Sequence, residues 1–270
     1  MEKNKCFLFK SLFSDKKQKS RNCQFFILVR ITNFTLKKIF NRLNRLCFKL
    51  IAMFQKSTFV IILLFILSSC AVQQKSLEMN DWYAFTKSNN TQQEPSKVYE
   101  FKDGMIRMYG EDLGCLMTKK SYKNFELTLE YRWNMEEQYK MKGTKNSGVM
   151  YNIPLEASDK IWPKGIQFQI KENVTGDFIF LDQVTAKVNG KLVEAGASVV
   201  SPKFLANENP FGEWNAVVIK SFNGKITQYL NGKLVNECTE ASTVEGKISL
   251  NYERSPIDFK NIRIKNISKE

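Results

Sequence analysis

Phe125-Glu-Leu-Thr-Leu-Glu-Tyr-Arg-Trp133 alternates without a break: Phe125, Leu127, Leu129, Tyr131 and Trp133 share one parity, and Glu126, Thr128, Glu130 and Arg132 share the other. In an extended chain successive side chains point to opposite faces, so this spacing makes one apolar face and one polar face. A helix would scatter the same five apolar residues around its cylinder. The stretch reads as a strand with one face in a core and the other toward water or ligand.

The same signature recurs outward from it. Segments at 214–220, 225–230 and 233–235 are separated by Asn223-Gly224 and Asn231-Gly232, and a further Asn189-Gly190 divides 185–188 from 191–193. Asn-Gly accepts the positive φ values of a tight type I′ turn, so these are consecutive hairpins. Strands at 165–170, 247–252 and 257–265 complete the pattern, and sustained helical periodicity is absent. About a dozen strands in the body are best accommodated by two packed antiparallel sheets, since a single open sheet exposes an apolar face. The expected fold is all-β, a jelly-roll β-sandwich over residues 81–270, opened by Trp82 and preceded by a polar tether at 70–80.

Charge is distributed unevenly. Residues 1–69 hold 14 of the 41 Lys+Arg and 2 of the 27 Asp+Glu, so the formal charge of +14 belongs mostly to the front of the chain. The remainder is nearly neutral and lacks the basic face that displaces phosphate counterions, which argues against nucleic acid as a partner. With no histidine in the sequence, mechanisms that need a His base, a Ser-His-Asp triad or a His metal ligand are excluded. Cys115 and Cys238 remain in the body as expected buried thiols, and neither a zinc site nor another metal or cofactor is expected. Phosphate-binding glycine loops, calcium loops and repeats are not found. The basic run Lys140–Lys145, bounded by Glu136 and Glu137, reads as a solvated loop.

The front end has the layout of an export signal. Lys56 precedes the nine-residue apolar run Phe59–Leu67, and small residues lead to Cys70. Nine residues fall short of the roughly 20 that cross a bilayer as a helix. Leu67-Ser68-Ser69-Cys70 resembles the bacterial lipobox, which implies cleavage before Cys70 and acylation of its thiol, with 53–69 as signal peptide. A buried apolar segment is the plainer alternative. Residues 1–52 stand outside the fold on either of two readings: an upstream extension with translation starting at Met53, or a basic amphipathic membrane-binding helix around 36–50. The expected location is the cell envelope, facing the periplasm.

Several segments, in order, resemble one family: Tyr122–Trp133, Asn146-Ser147-Gly148-Val149, Gly165-Ile-Gln-Phe-Gln-Ile170, Trp214-Asn215, Tyr229–Gly232, Gly246–Leu250 and Phe259–Ile262. The ordered set is similar to the 3-keto-disaccharide hydrolase family over residues 81 to 267. The resemblance implies a concanavalin-like sandwich, secreted or lipid-anchored, that acts on oxidised sugars. A ketone at C3 acidifies the C2 proton, so such a site needs a base for that proton and donors or a cation for the enolate oxygen. Three positions depart from the family pattern: Gln167 replaces an acid, Asn152 replaces an arginine, and Glu253 replaces a histidine. An amide is no base near neutral pH, so weakened activity is expected.

Candidate residues follow from alternation and from that resemblance. Gln167 and Gln169 share a polar face, where amides donate to and accept from hydroxyls; the alternative is a solvated sheet face. Asn146 and Ser147 are candidate sugar contacts or simple turn formers. Tyr151 and Trp162 are candidate stacking platforms or core aromatics. Lys164 is placed at the site edge. Glu130 and Glu253 are the carboxylates available as a replacement base, and Arg132 is the candidate enolate stabiliser, against plain cross-strand pairing. Glu172 and Asp182 are weaker candidates. The expected function is a lipid-anchored hydrolase of 3-keto-glycosides with an oxidised di- or oligosaccharide as partner. A non-catalytic glycan-binding module is the alternative, and a structural envelope protein is a third.

Overall fold

The computed structural model describes residues 74–136 and 144–268, together with residues 42, 43 and 45. The chain divides into two units, Met1–Ala71 and Val72–Glu270; residues 42, 43 and 45 of the first are helical. The signal segment 53–69, Cys70 and residues 140–143 lie outside the described residues, as does most of 36–50.

The second unit is all-β. Its strands are β1 (Lys75–Ser76), β2 (Trp82–Thr86), β3 (Glu100–Lys102), β4 (Met105–Met108), β5 (Gly114–Thr118), β6 (Tyr122–Lys123), β7 (Phe125–Trp133), β8 (Asn146–Ile153) and β9 (Gly165–Lys171). They continue as β10 (Phe178–Leu181), β11 (Ala186–Val188), β12 (Lys191–Val193), β13 (Ser198–Ser201), β14 (Asn215–Phe222), β15 (Lys225–Leu230), β16 (Lys233–Cys238), β17 (Glu245–Tyr252) and β18 (Ile257–Asn266). One sheet runs β16-β15-β14-β7-β18-β4-β3 with β1 added on β18; the other runs β13-β10-β9-β8-β17-β5-β2 with β6 added on β17. Strands β11 and β12 form a separate ribbon. Pairing is antiparallel throughout, and the result is the expected jelly-roll sandwich.

Local chemistry accounts for this topology. All three Asn-Gly pairs adopt the positive φ of type I′ turns: 50° and 72° at 189–190, 46° and 81° at 223–224, 49° and 78° at 231–232. The apolar face of β7 packs inward, with Phe125, Leu127, Leu129, Tyr131 and Trp133 each 2% exposed or less. Ile166, Phe168 and Ile170 of β9 and Leu250 of β17 meet them from the other sheet. Each such side chain contributes about 1.5–3 kcal/mol on burial, which offsets the entropy lost in ordering the strands.

Two expectations change. There are more strands than a dozen, because pairs and triplets such as β1, β3 and β6 are too short to show alternation. Part of the expected tether also belongs to the sandwich: Lys75 and Ser76 pair with Ile264 and Arg263, Leu77 N–H donates to Ile262 O at 2.9 Å, and Leu77 is buried. Its polar residues lie on the solvent side of an edge strand, which gives them the composition of a linker. Cys115 and Cys238 are free and buried.

Candidate functional site

Strand β9 sends Ile166, Phe168 and Ile170 into the core and Gln167 and Gln169 to the outer face of their sheet. There a chain of hydrogen bonds crosses β17, β8 and β9. Ser249 Oγ donates to Asn251 Oδ1 at 2.9 Å, and Asn251 Nδ2 donates to Gln167 Oε1 at 3.2 Å. Gln167 Nε2 donates to Gln169, and Gln169 Nε2 donates to Asn146 Oδ1 at 3.4 Å. Asn146 Nδ2 donates to Glu253, whose other oxygen accepts from Trp162 Nε1 at 3.3 Å. Gly148 makes room for the chain: a Cβ there would lie 2.5 Å from Gln167 Cδ.

The chain has a closed end and an open end. Asn251, Gln167 and Gln169 are 0%, 4% and 9% exposed, whereas Trp162 is 41% exposed. The 154–164 connection covers the closed half, where Ile161 and Ala157 pack with Met150 and Ile179 on the outer face of the sheet. It is held by Asp159, which accepts from Tyr83 Oη at 2.5 Å and from Gln92 Nε2 at 2.8 Å, while Lys247 Nζ donates to Tyr83 Oη at 2.9 Å.

Proton affinities differ along this face. Burial raises the Glu253 carboxyl above its ordinary value, and the Trp162 bond, the Lys171 charge and the Asn146 bond offset only part of that. Burial also opposes ionisation of Asp159, but Tyr83, Gln92 and Lys247 together hold it below the usual carboxylate range. Cys115 abuts Ser249, and burial pushes its thiol up to about 12, so it is not a nucleophile at neutral pH. Among the described residues no group of three or more acidic or cysteine side chains is placed to hold a metal ion.

Of the residues singled out in the sequence, Gln167, Gln169, Asn146, Trp162 and Glu253 come together. The others do not. Glu130 and Arg132 lie on the outer face of the opposite sheet, where Glu130 pairs with Lys260 at 3.3 Å and Arg132 pairs with the buried Asp258 at 2.9 Å and lies 4.7 Å from the Trp214 ring. Cross-strand charge pairing therefore holds both. Ser147 and Tyr151 have the inward parity of β8: Ser147 Oγ donates to Asn251 O at 2.7 Å, and Tyr151 accepts from Gln228 Nε2 at 2.8 Å within the core. Lys164 sits at the far end of β9, beside Pro154, Leu155 and Val244. Asp182 is exposed near Lys160, and Glu172 borders a separate depression with Lys203 and Phe211.

Asn152 shows why parity fails locally. Its φ is 52°, and a bulge in the β8–β17 ladder turns its amide inward to Ser221 and Thr243 O. Conversely, Ser249, Asn251, Tyr83, Asp159 and Lys247 were not singled out. Lys247-Ile-Ser-Leu-Asn-Tyr-Glu253 alternates as strictly as β7, so its polar set was readable; Tyr83 and Asp159 carried no such signal.

A two-sheet jelly-roll with a connected row of amides and one carboxyl on an outer face defines a β-sandwich protein with a hydrogen-bonded polar row on one sheet. Residues 75–265 match the family described as 3-keto-alpha-glucoside-1,2-lyase-like domain, and the chain belongs to that family. Among solved structures, it is similar to two candidate glycosyl hydrolases from Parabacteroides distasonis ATCC 8503. One is 24% identical, with 63% of this chain and 91% of the other covered and a TM-score of 0.45. The second is 19% identical, with 70% and 89% covered and a TM-score of 0.49. The carbohydrate-binding module CBM66 from Bacillus subtilis is 12% identical, with 70% and 98% covered and a TM-score of 0.46. No curated protein matches the chain.

Proposed function

We propose that this protein cleaves 3-keto-glycosides, with Glu253 as the proton acceptor and the Asn146–Gln169–Gln167 row as the sugar-facing surface. The observation that carries this reading is the carboxyl of Glu253, partly buried, raised in proton affinity and standing at the open end of that row beside Trp162. Such a carboxyl is shifted toward the range in which it exchanges protons with a weak carbon acid. Glu253 takes the C2 proton, the C–H electron pair becomes the C2=C3 bond, and the carbonyl pair moves to O3. When that pair returns, C1=C2 forms and the C1–O bond breaks; the leaving oxygen departs with the pair and takes up a proton, and water then adds at C1. Family membership supports the substrate class. The signal-like segment 53–69 and Cys70 support lipid attachment and a place in the cell envelope.

The second reading, a glycan-binding module without catalysis, is favoured by one specific observation: Gln167, where the family pattern has an acid, is 4% exposed and hydrogen-bonded at both ends of its amide. Incubation with a 3-keto-glucoside separates the two. Loss of the keto sugar supports the enzyme; absence of turnover together with measurable oligosaccharide affinity supports the module.

A further inference from the structure

The end of β9 brings a residue to the site that neither alternation within the glutamine motif nor the family pattern picks out. Ser147 pairs with Tyr252 on one side and Asn146 pairs with Lys171 on the other. Continuing the antiparallel register places Glu253, Asn146 and Lys171 in one row across three neighbouring strands. Lys171 has the parity of Gln167 and Gln169, so all three project from the same face. Neighbouring strands lie about 4.8 Å apart, which separates the backbones of Glu253 and Lys171 by about 9.6 Å, with the Asn146 amide between them. The carboxyl and the ammonium thus flank Asn146 on one face, close enough for both long side chains to reach a single sugar, and the carboxyl is bonded to Asn146 and Trp162.

We propose that Lys171 is a catalytic residue, the cation that holds O3 of the substrate as negative charge develops there. This rests on the elimination assigned above to Glu253. The reaction needs a base at the C2 hydrogen and an electrophile at O3 of the adjoining carbon, because the electron pair leaving the C2–H bond arrives on O3 as the proton moves to the carboxylate. Lys171 is half-buried, makes no ion pair among the described residues, and its charge favours the ionised form of Glu253 across the row. The ammonium donates a hydrogen bond to the enolate oxygen and is released when that oxygen returns its pair to the carbonyl, so it undergoes no net change. Among the groups brought together at the open end of the row, Lys171 is the one that carries a positive charge.

The test is steady-state turnover of a 3-keto-glucoside by the full chain and by its Lys171→Met, Lys171→Arg and Glu253→Gln variants. Lys171→Met is expected to lower kcat on the order of 100-fold with KM changed by less than about threefold, the signature of an interaction made only in the transition state. Lys171→Arg is expected to recover part of the loss. The acid limb of the pH profile is expected to move to higher pH in Lys171→Met, since the remaining carboxylate loses its cation. Should Lys171→Met fail to fold, Lys171→Gln carries the same comparison. Undiminished kcat in the charge-free variant, with turnover abolished in Glu253→Gln, overturns the role of Lys171 and leaves the Glu253 reading standing. Absence of turnover in the unaltered protein overturns both.

Discussion

Glu253 is an acid whose environment works against its own charge, and that has a consequence for stability. Its native proton affinity is raised above the ordinary value of 4.5 by burial. Between 4.5 and the native value the folded chain holds a proton that the unfolded chain has released, so stability falls as pH rises through that window and levels off above it. Glu253→Gln removes the group. The difference in Tm between the variant and the original protein is therefore expected to grow in the variant's favour from pH 4.5 upward, which thermal melts across that range check. A difference that stays constant with pH contradicts the burial of the carboxyl. Asp159, on the connection that covers the same sheet face, is held the other way by Tyr83, Gln92 and Lys247, so its stabilising contribution is present at neutral pH and lost in acid. The two carboxyls differ in proton affinity because donors and a nearby ammonium outweigh the loss of water at Asp159, whereas at Glu253 the loss of water outweighs them.

The amide row on the outer face of β8, β9 and β17 has its room only because position 148 lacks a side chain. Gly148→Ala places a methyl against the mid-section and amide of Gln167. The expected result is a cost of about 1–3 kcal/mol from overpacking and displacement of Gln167 from Gln169 and Asn251. Chemical denaturation measures the first, and at least a tenfold loss of sugar affinity reports the second; unchanged affinity contradicts the assignment of this row as the binding surface. How far such elements were legible depends on what each signal encodes. Alternation in 125–133 gave β7 and its faces, and Asn-Gly gave the hairpins, because both are properties of the local backbone. Alternation does not say which sheet a strand joins, so Glu130 and Arg132 read as site residues although their polar face belongs to the opposite sheet. Ser147 and Tyr151 were misplaced for a related reason: a motif that contains both parities includes inward residues, and Asn152 turns at a bulge that sequence does not mark. Asp159 reaches the face through an irregular connection, where no periodicity exists to be read.

For the molecule as a whole, the two outer faces differ in chemistry. One carries charge ladders such as Lys265–Glu126–Lys220 and Glu130–Lys260, built of half-buried cross-strand pairs. The other carries the amide row and the carboxyl. In the proposed reading acylation at Cys70 attaches the protein to the envelope; among the described residues no helix is long and apolar enough to cross a membrane. Cys70→Ser is expected to shift the protein from the membrane pellet to the soluble fraction with its fold unchanged, and retention in the pellet contradicts lipid attachment. In the proposed reaction Glu253 takes the proton, and the most direct measurement is kcat on a 3-keto-glucoside for Glu253→Gln alongside the affinity of the same variant for that sugar. The predicted result is a fall in kcat on the order of 100-fold or more with affinity kept within a few-fold. Turnover equal to that of the unaltered protein contradicts it.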